Sequence, residues 1–205
     1  MIVECAGLPG GGKTTICRQV EVPHGGKGAV ALPALRVDRA LLRAAWHILA
    51  LCFGARPFRL NRLKRGFNLV VFLRHYQHPG KVLLLDQGQV QKLWSILADA
   101  AGYSAPRLKR VLASLTAFAP GHVVWVDTPL DMAVQRMAAR GGGNSRYDGL
   151  PPDEVTAQLM IRSALLRTIA GDYCRVTGAP LTTLDGRLPP DRNAARIAEL
   201  LQASG

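Results

Sequence analysis

Eight residues near the start of the chain, Gly7-Leu8-Pro9-Gly10-Gly11-Gly12-Lys13-Thr14, combine groups that suit one kind of ligand. Glycines let main-chain N–H groups close around anionic oxygens, a lysine adds a cation, and a threonine hydroxyl can ligate a hard divalent ion. The spacing Gly-x-x-x-x-Gly-Lys-Thr is that of a phosphate cradle, and it falls between an apolar strand-like run at residues 2–6, interrupted only by Glu4, and a helical pattern at 14–20, the context a cradle needs. A glycine-rich surface turn without a ligand is the plainer reading, and the flanking elements argue against it. Gly7, Pro9, Gly10, Gly11, Gly12, Lys13, Thr14 and Thr15 are therefore assigned to nucleotide binding, Lys13 also to catalysis and Thr14 to magnesium.

Asp86 closes the continuous apolar run Val82-Leu83-Leu84-Leu85. Phosphoryl transfer needs a carboxylate, either to hold the metal's water shell or to accept the acceptor hydroxyl's proton, and Asp86 is assigned to catalysis and metal with that choice open. Its plainer reading is a helix N-cap. A third group, Arg136, Arg140 and Arg146, surrounds the glycine-rich stretch Gly141-Gly142-Gly143-Asn144-Ser145; arginines carried by a closing loop can stabilise charge on a transferring phosphoryl and expel water. Arg136 is read as nucleotide-binding and Arg140 and Arg146 as catalytic, against the alternative of a solvated basic helix end. Asp127 and Asp131 are read as strand-end and helix-start residues, His75 and His78 as solvated surface rather than a metal pair, and Trp46, Trp94 and Trp125 as core.

The elements that must position these groups alternate. Strands are expected at 2–6, 29–32, 81–86, 122–126 and 181–184, and helices at 14–20, 38–53 (capped by Asp38), 60–77, 89–101, 105–118, 130–140, 153–173 and 191–202, with residues 24–28 a flexible connector. Strands separated by helices imply a parallel sheet covered on both faces, whose ligands bind at the carboxyl ends of the strands. At 205 residues and 48% hydrophobic content, the expectation is one globular unit. No apolar stretch reaches the roughly 18–20 residues of a membrane span. Met1-Ile2-Val3-Glu4 has no basic leader pattern, so a cytoplasmic location is expected. The four cysteines lack metal or disulfide spacing and are read as reduced, buried thiols.

The net charge of +12 comes from 26 basic residues, 20 of them arginine, against 14 acids. Residues 36–65 hold Arg36, Arg39, Arg43, Arg56, Arg59, Arg62, Lys64 and Arg65 against Asp38 alone. This region could bind an anionic acceptor or lie on an acidic surface, or be a solvated basic face. Membrane-surface contact is not favoured, and basic runs with interleaved aromatics are not evident, so no specific nucleic acid is expected.

Taken together, the P-loop, the run Leu85-Asp86-Gln87-Gly88, the segment Val126-Asp127-Thr128-Pro129-Leu130 and the stretch through Arg146-Tyr147-Asp148 resemble, in order and spacing, the nucleoside and nucleotide kinase branch of P-loop proteins, which includes thymidylate kinase and the deoxynucleoside kinases. The resemblance implies a three-layer α/β P-loop NTPase fold with a parallel sheet of about five strands, a single domain over 1–205, a helical acceptor-side insert at 33–80 and a lid at 136–150. It implies ATP and Mg2+ as cofactors and a small acceptor, most simply a nucleoside or nucleotide, phosphorylated from ATP. By the same resemblance, the acid at Asp86 is base or water-mediated magnesium ligand, and Asp185-Gly186-Arg187 borders the adenine, so Gly186 joins the nucleotide set. Where these kinases usually carry an acid followed by Arg, this chain has Asp86-Gln87, and Gly7-Leu8-Pro9-Gly10 is also similar to adenylate-kinase-like and antibiotic-phosphorylating enzymes. An antibiotic- or secondary-metabolite-modifying kinase is therefore one alternative. A GTP- or ATP-binding regulatory module is another, although an Asn-Lys-x-Asp guanine signature is missing.

Overall fold

The computed structural model describes residues 1–21, 34–77, 82–140, 147 and 149–202, and the backbone of 24–25. Strands β1 (Ile2–Gly7), β2 (His24–Gly25), β3 (Leu83–Leu85), β4 (His122–Asp127) and β5 (Leu181–Asp185) form one parallel sheet in the order β2-β3-β1-β4-β5. Four strands have three to six residues, and β2 adds a two-residue edge. The helices are α1 (Lys13–Arg18), α2 (Arg39–Gly54), α3 (Leu60–Phe72), α4 (Gln89–Leu97), α5 (Ala105–Leu115), α6 (Leu130–Ala139), α7 (Pro152–Thr177) and α8 (Pro190–Gln202). The architecture is a three-layer α/β one, a parallel sheet with helices on both faces.

Period-two alternation of apolar residues builds the two faces. In β4, Val123 and Trp125 join the large core made with α2, α3, α4, α5 and α7, while Val124 and Val126 face the smaller one. There Val3, Cys5, Leu84 and Leu184 meet Ile16 and Cys17 of α1 and Ala194, Ile197 and Leu201 of α8. A strand covered on both sides has no polar face to display, hence its unbroken apolar run. Because α1 turns to one face after β1 and α4 to the other after the neighbouring β3, a crevice opens between these two strand ends.

Several expectations change. His24 and Gly25 pair with Leu84 and Leu85 as an edge strand, where a connector was expected; the strand expected at 29–32, like His78, Lys81 and residues 141–146, lies outside the described residues. The third strand starts at Leu83, because Val82 is exposed. After α3 the chain tightens into a 3-10 turn, Leu73–Gln77, and α4 stops at Leu97, four residues short of the expected 101. The long helix α7 runs on to Thr177, where Gly178 at φ 74 supplies the left-handed cap.

Burial corrects three residue readings. Trp46 is 72% exposed whereas Trp94 and Trp125 are buried; periodicity places Trp46 beside the core stripe of α2 and not on it. His75 is buried, with Phe72 at 5.0 Å between ring centroids, and is not solvated surface. Arg62, in the basic region, is also buried and donates to the carbonyls of Ile96, Ala55, Pro57 and Asp99. It staples the α2–α3 loop to the end of α4 and does not belong to a solvated face.

Candidate active site

The loop after β1 is shaped by three positive-φ glycines, Gly7 (φ 149), Gly10 (φ 78) and Gly12 (φ 85), conformations an L side chain resists. Space is equally limiting: a Cβ on Gly10 would stand 2.2 Å from the carbonyl oxygen of Ala133 in α6. Gly11 N donates to Leu8 O at 3.0 Å, closing the turn, and Ile16 N donates to Gly12 O at 3.0 Å as the first bond of α1. The amides of Lys13, Thr14 and Thr15 thus belong to a first turn without intrahelical acceptors, and no side chain caps them. Six residues make a weak dipole, so the main-chain donors matter more here than the helix macrodipole.

Lys13 is only 7% exposed and its ammonium lies within the loop, donating to Gly7 O at 2.9 Å and Leu8 O at 2.7 Å. Burial pushes its pKa down from 10.5 to about 8, with the Asp86 carboxylate opposing that shift. Its contacts are neutral carbonyls and leave one of three N–H donors for another acceptor. Thr14 Oγ1 donates to Asp86 Oδ2 at 2.7 Å, linking loop and β3 across 72 residues of sequence. Hydroxyl and carboxylate therefore meet at the crevice edge, an all-oxygen pair that suits a small hard cation.

Asp86 does not cap α4. That task falls to a residue the sequence reading passed over as a break in an apolar strand, Glu4 of β1, whose Oε2 accepts from Gln89 N at 2.9 Å and whose Oε1 accepts from Val90 N at 3.4 Å. Tyr76 donates its hydroxyl to the same carboxylate at 2.7 Å. Burial raises the Glu4 pKa, and these three hydrogen bonds offset part of that rise. Gly88 precedes the helix because a Cβ there would sit 2.2 Å from Glu4 Oε2. An acid inside an apolar strand was the available signal.

Arg136 Nη2 donates to Gly186 O at 3.1 Å, and its Nη1 is the atom nearest a Cβ placed on Gly12, at 3.5 Å. One guanidinium thus bridges α6, the P-loop and the loop after β5, three parts of the assigned nucleotide set. Thr128, not singled out from sequence, supports the same junction: Oγ1 donates to Gly11 O at 3.1 Å and occupies the space a Gly186 side chain would need. Arg140 caps the end of α6, exposed, with its charge acting to lower the Lys13 pKa. Arg146 lies outside the described residues. Its neighbour Tyr147 is buried with Val134, Met137, Val155 and Leu159 and accepts from Arg162 Nη1 at 3.1 Å. Asp127, at the carboxyl end of β4, accepts from Arg167 Nη2 at 2.8 Å, and its carbonyl accepts from Gly186 N at 2.8 Å. Among the described residues no group of three or more His, Cys, Asp or Glu side chains could hold a metal ion, and no helix is long and apolar enough to cross a membrane.

No protein-family model matches the chain. A search of curated protein sequences finds no match either. Solved structures do match in fold. Deoxyadenosine kinase from M. mycoides with bound dATP superposes with a TM-score of 0.58 at 12% identity, covering 98% of this chain and 100% of that one. The same enzyme with bound dCTP gives 0.54 at 10% identity, covering 99% and 100%. Shikimate kinase from Acinetobacter baumannii in complex with shikimate gives 0.50 at 18% identity, covering 99% and 93%. At such identities the likeness is one of fold, and it is the fold of P-loop kinases.

Proposed function

We propose that this chain is a small-molecule kinase that binds ATP with magnesium at the loop Gly7–Thr14 and moves the terminal phosphoryl to a hydroxyl-bearing acceptor, a nucleoside or nucleotide in the first instance. The observation that carries this reading is the contact of Thr14 Oγ1 with Asp86 Oδ2 beside the buried Lys13 ammonium. It brings the three groups that phosphoryl transfer requires to one strand edge of a fold shared with two kinases.

In this reading the amides of Lys13, Thr14 and Thr15 donate to the phosphate oxygens, and Lys13 exchanges its two carbonyl acceptors for the outer phosphates. Thr14 and Asp86 would hold the magnesium ion, which when bound would neutralise charge on the phosphates. Asp86 takes the metal side because its carboxylate already meets the threonine hydroxyl. Arg136 lies against the phosphates from the Gly186 side, with Pro9 and Gly10 held on α6. Residues 136–150 act as a lid bringing Arg140 and Arg146 over the transferring group, and residues 33–80 form the acceptor side within one domain spanning 1–205.

One observation favours a second reading of the acceptor. Fold likeness extends to a kinase bound to shikimate, and Gln87 stands where nucleoside kinases carry Arg, so a carbocyclic or secondary-metabolite alcohol is the alternative substrate class. The test is an acceptor screen with ATP and magnesium, read by ADP release, on the wild type and Lys13→Ala. Turnover of at least one alcohol, lost by about 10²–10³-fold in the variant, is expected. Nucleotide hydrolysis or binding with no acceptor turnover would overturn the kinase assignment, and turnover of drug-like alcohols without nucleosides would select the second class.

A further inference from the structure

Helices α2 and α3 each carry an apolar stripe that the core does not use. On α2 the core takes Leu41, Ala44, Ile48, Leu51 and Cys52. At about 100° per residue, Leu42, Trp46, Leu49 and Phe53 fall together along another edge of the helix. Leu42 is 60%, Trp46 72% and Phe53 60% exposed. On α3 the buried residues are Arg62, Gly66 and Leu69, and the opposite side presents Leu60, Phe67 and Val71, which are 74%, 51% and 40% exposed. Helices α2 and α3 pack side by side, Gly66 against Cys52, Ile48 and Leu49, and Phe53 stacks on Phe58 of the connecting loop with ring centroids 5.6 Å apart. An aromatic side chain offers about 150–250 Å², so four rings each half or more uncovered leave on the order of 400 Å², a size at which an exposed patch marks an interaction site.

The surrounding charge selects the occupant. Residues 36–65 contain eight basic side chains and one acid, Asp38, whose carboxylate is committed to Leu41 N. Arg62 and Arg65 turn inward, to main-chain carbonyls and Asp99. Arg39 and Arg43 remain exposed along the α2 stripe, Lys64 within the α3 stripe, and Arg56 and Arg59 on either side of Phe58. A second copy docked through the same patch would press these cations against their own kind, and like-charge juxtaposition costs several kcal/mol. A nucleic acid would answer the cations but leave Leu42, Leu60 and Val71 without a stacking partner. Anionic headgroups over an acyl boundary answer both, with rings and aliphatic side chains entering the boundary while arginine and lysine stems reach to phosphate.

We propose that the α2–α3 face is a reversible docking surface for a membrane that carries anionic lipid. The experiment is co-sedimentation of the full chain with vesicles of mixed phosphatidylglycerol and phosphatidylcholine, against phosphatidylcholine alone, with tryptophan emission recorded. Binding at least about tenfold tighter to the anionic vesicles is expected, weakened by added salt. A blue shift of emission should accompany it and vanish in Trp46→Ser, because Trp94 and Trp125 are already buried. Combined Trp46→Ser, Phe53→Ser and Phe67→Ser should abolish binding while the circular dichroism stays that of wild type. Charge reversal at Arg39, Arg43 and Lys64 to Glu should do the same, and serves if the serine variant fails to fold. Equal binding to neutral vesicles, binding unaffected by both variants, or no vesicle binding would each overturn the proposal; a dimer that the serine variant dissolves, or oligonucleotide capture, without vesicle binding, would overturn it in favour of that partner.

Discussion

Lys13 and Asp86 carry predictions that belong to single side chains. The free protein holds the Lys13 ammonium at a pKa of about 8 because its surroundings exclude water. A bound polyphosphate favours the cation and raises that value, so binding above about pH 8 must take up a proton. ATP affinity is therefore expected to be level at lower pH and to fall by up to about tenfold per pH unit above 8, with proton uptake visible by calorimetry in buffers of different ionisation enthalpy. Affinity that stays level through that range would place Lys13 away from the phosphates. Asp86→Asn keeps the shape of the side chain and removes its charge. With Asp86 on the metal side, the magnesium needed for half-maximal turnover should rise by about 10–100-fold while metal-free ATP binding holds. A fall in kcat at saturating magnesium with the requirement unchanged would make Asp86 the proton acceptor instead.

Elements carry the site through two close fits. Helix α4 starts on Gly88, and Glu4 of β1 supplies its cap while receiving the Tyr76 hydroxyl from the 3-10 turn. Glu4→Ala leaves two amides and a phenol without their acceptor and should cost about 3 kcal/mol in urea unfolding. Glu4→Gln isolates the charge. Burial raises the folded-state pKa of Glu4 above its ordinary value, so the folded state binds the proton more tightly than the unfolded chain, and this contribution to stability is lost as pH rises through that window. The stability of wild type relative to Glu4→Gln should accordingly shrink as pH rises above the ordinary carboxylate value of 4.5, and a difference that grows would contradict the burial argument. The second fit is Gly10 against α6. Gly10→Ala adds a Cβ where Ala133 O already stands, in a backbone conformation that costs an L-residue about 1–2 kcal/mol. The loop must shift, and nucleotide affinity should fall with stability, as thermal melts with and without ATP would reveal.

For the molecule as a whole, the parallel order β2-β3-β1-β4-β5 brings the ends of β1 and β3 side by side, so a ligand there binds loops from distant parts of the chain. Such a ligand stabilises the entire fold. At a hundredfold excess over Kd it adds about 2.7 kcal/mol, or roughly 5–10 °C in Tm for a chain of this length. ATP with magnesium should give that shift, and Lys13→Ala should remove it. A melting temperature indifferent to nucleotide would count against the phosphate site itself, whatever the acceptor.

Local pattern was sufficient for the layered α/β fold, for nearly every element, and for the loop with Lys13 and Thr14, because glycine freedom, capping and apolar period act over a few residues. The same locality made Glu4 look like a flaw in a strand, Trp46 like core and His75 like surface, since facing direction depends on what packs from elsewhere. The sequence assigned Thr14 and Asp86 to one metal ion, but other pairings across the sheet were beyond it: Glu4 with the start of α4, Arg136 with Gly186, Thr128 with Gly11. Each joins segments far apart in the chain, and only the strand order, fixed by burying both faces of the sheet at once, brings them within hydrogen-bonding distance.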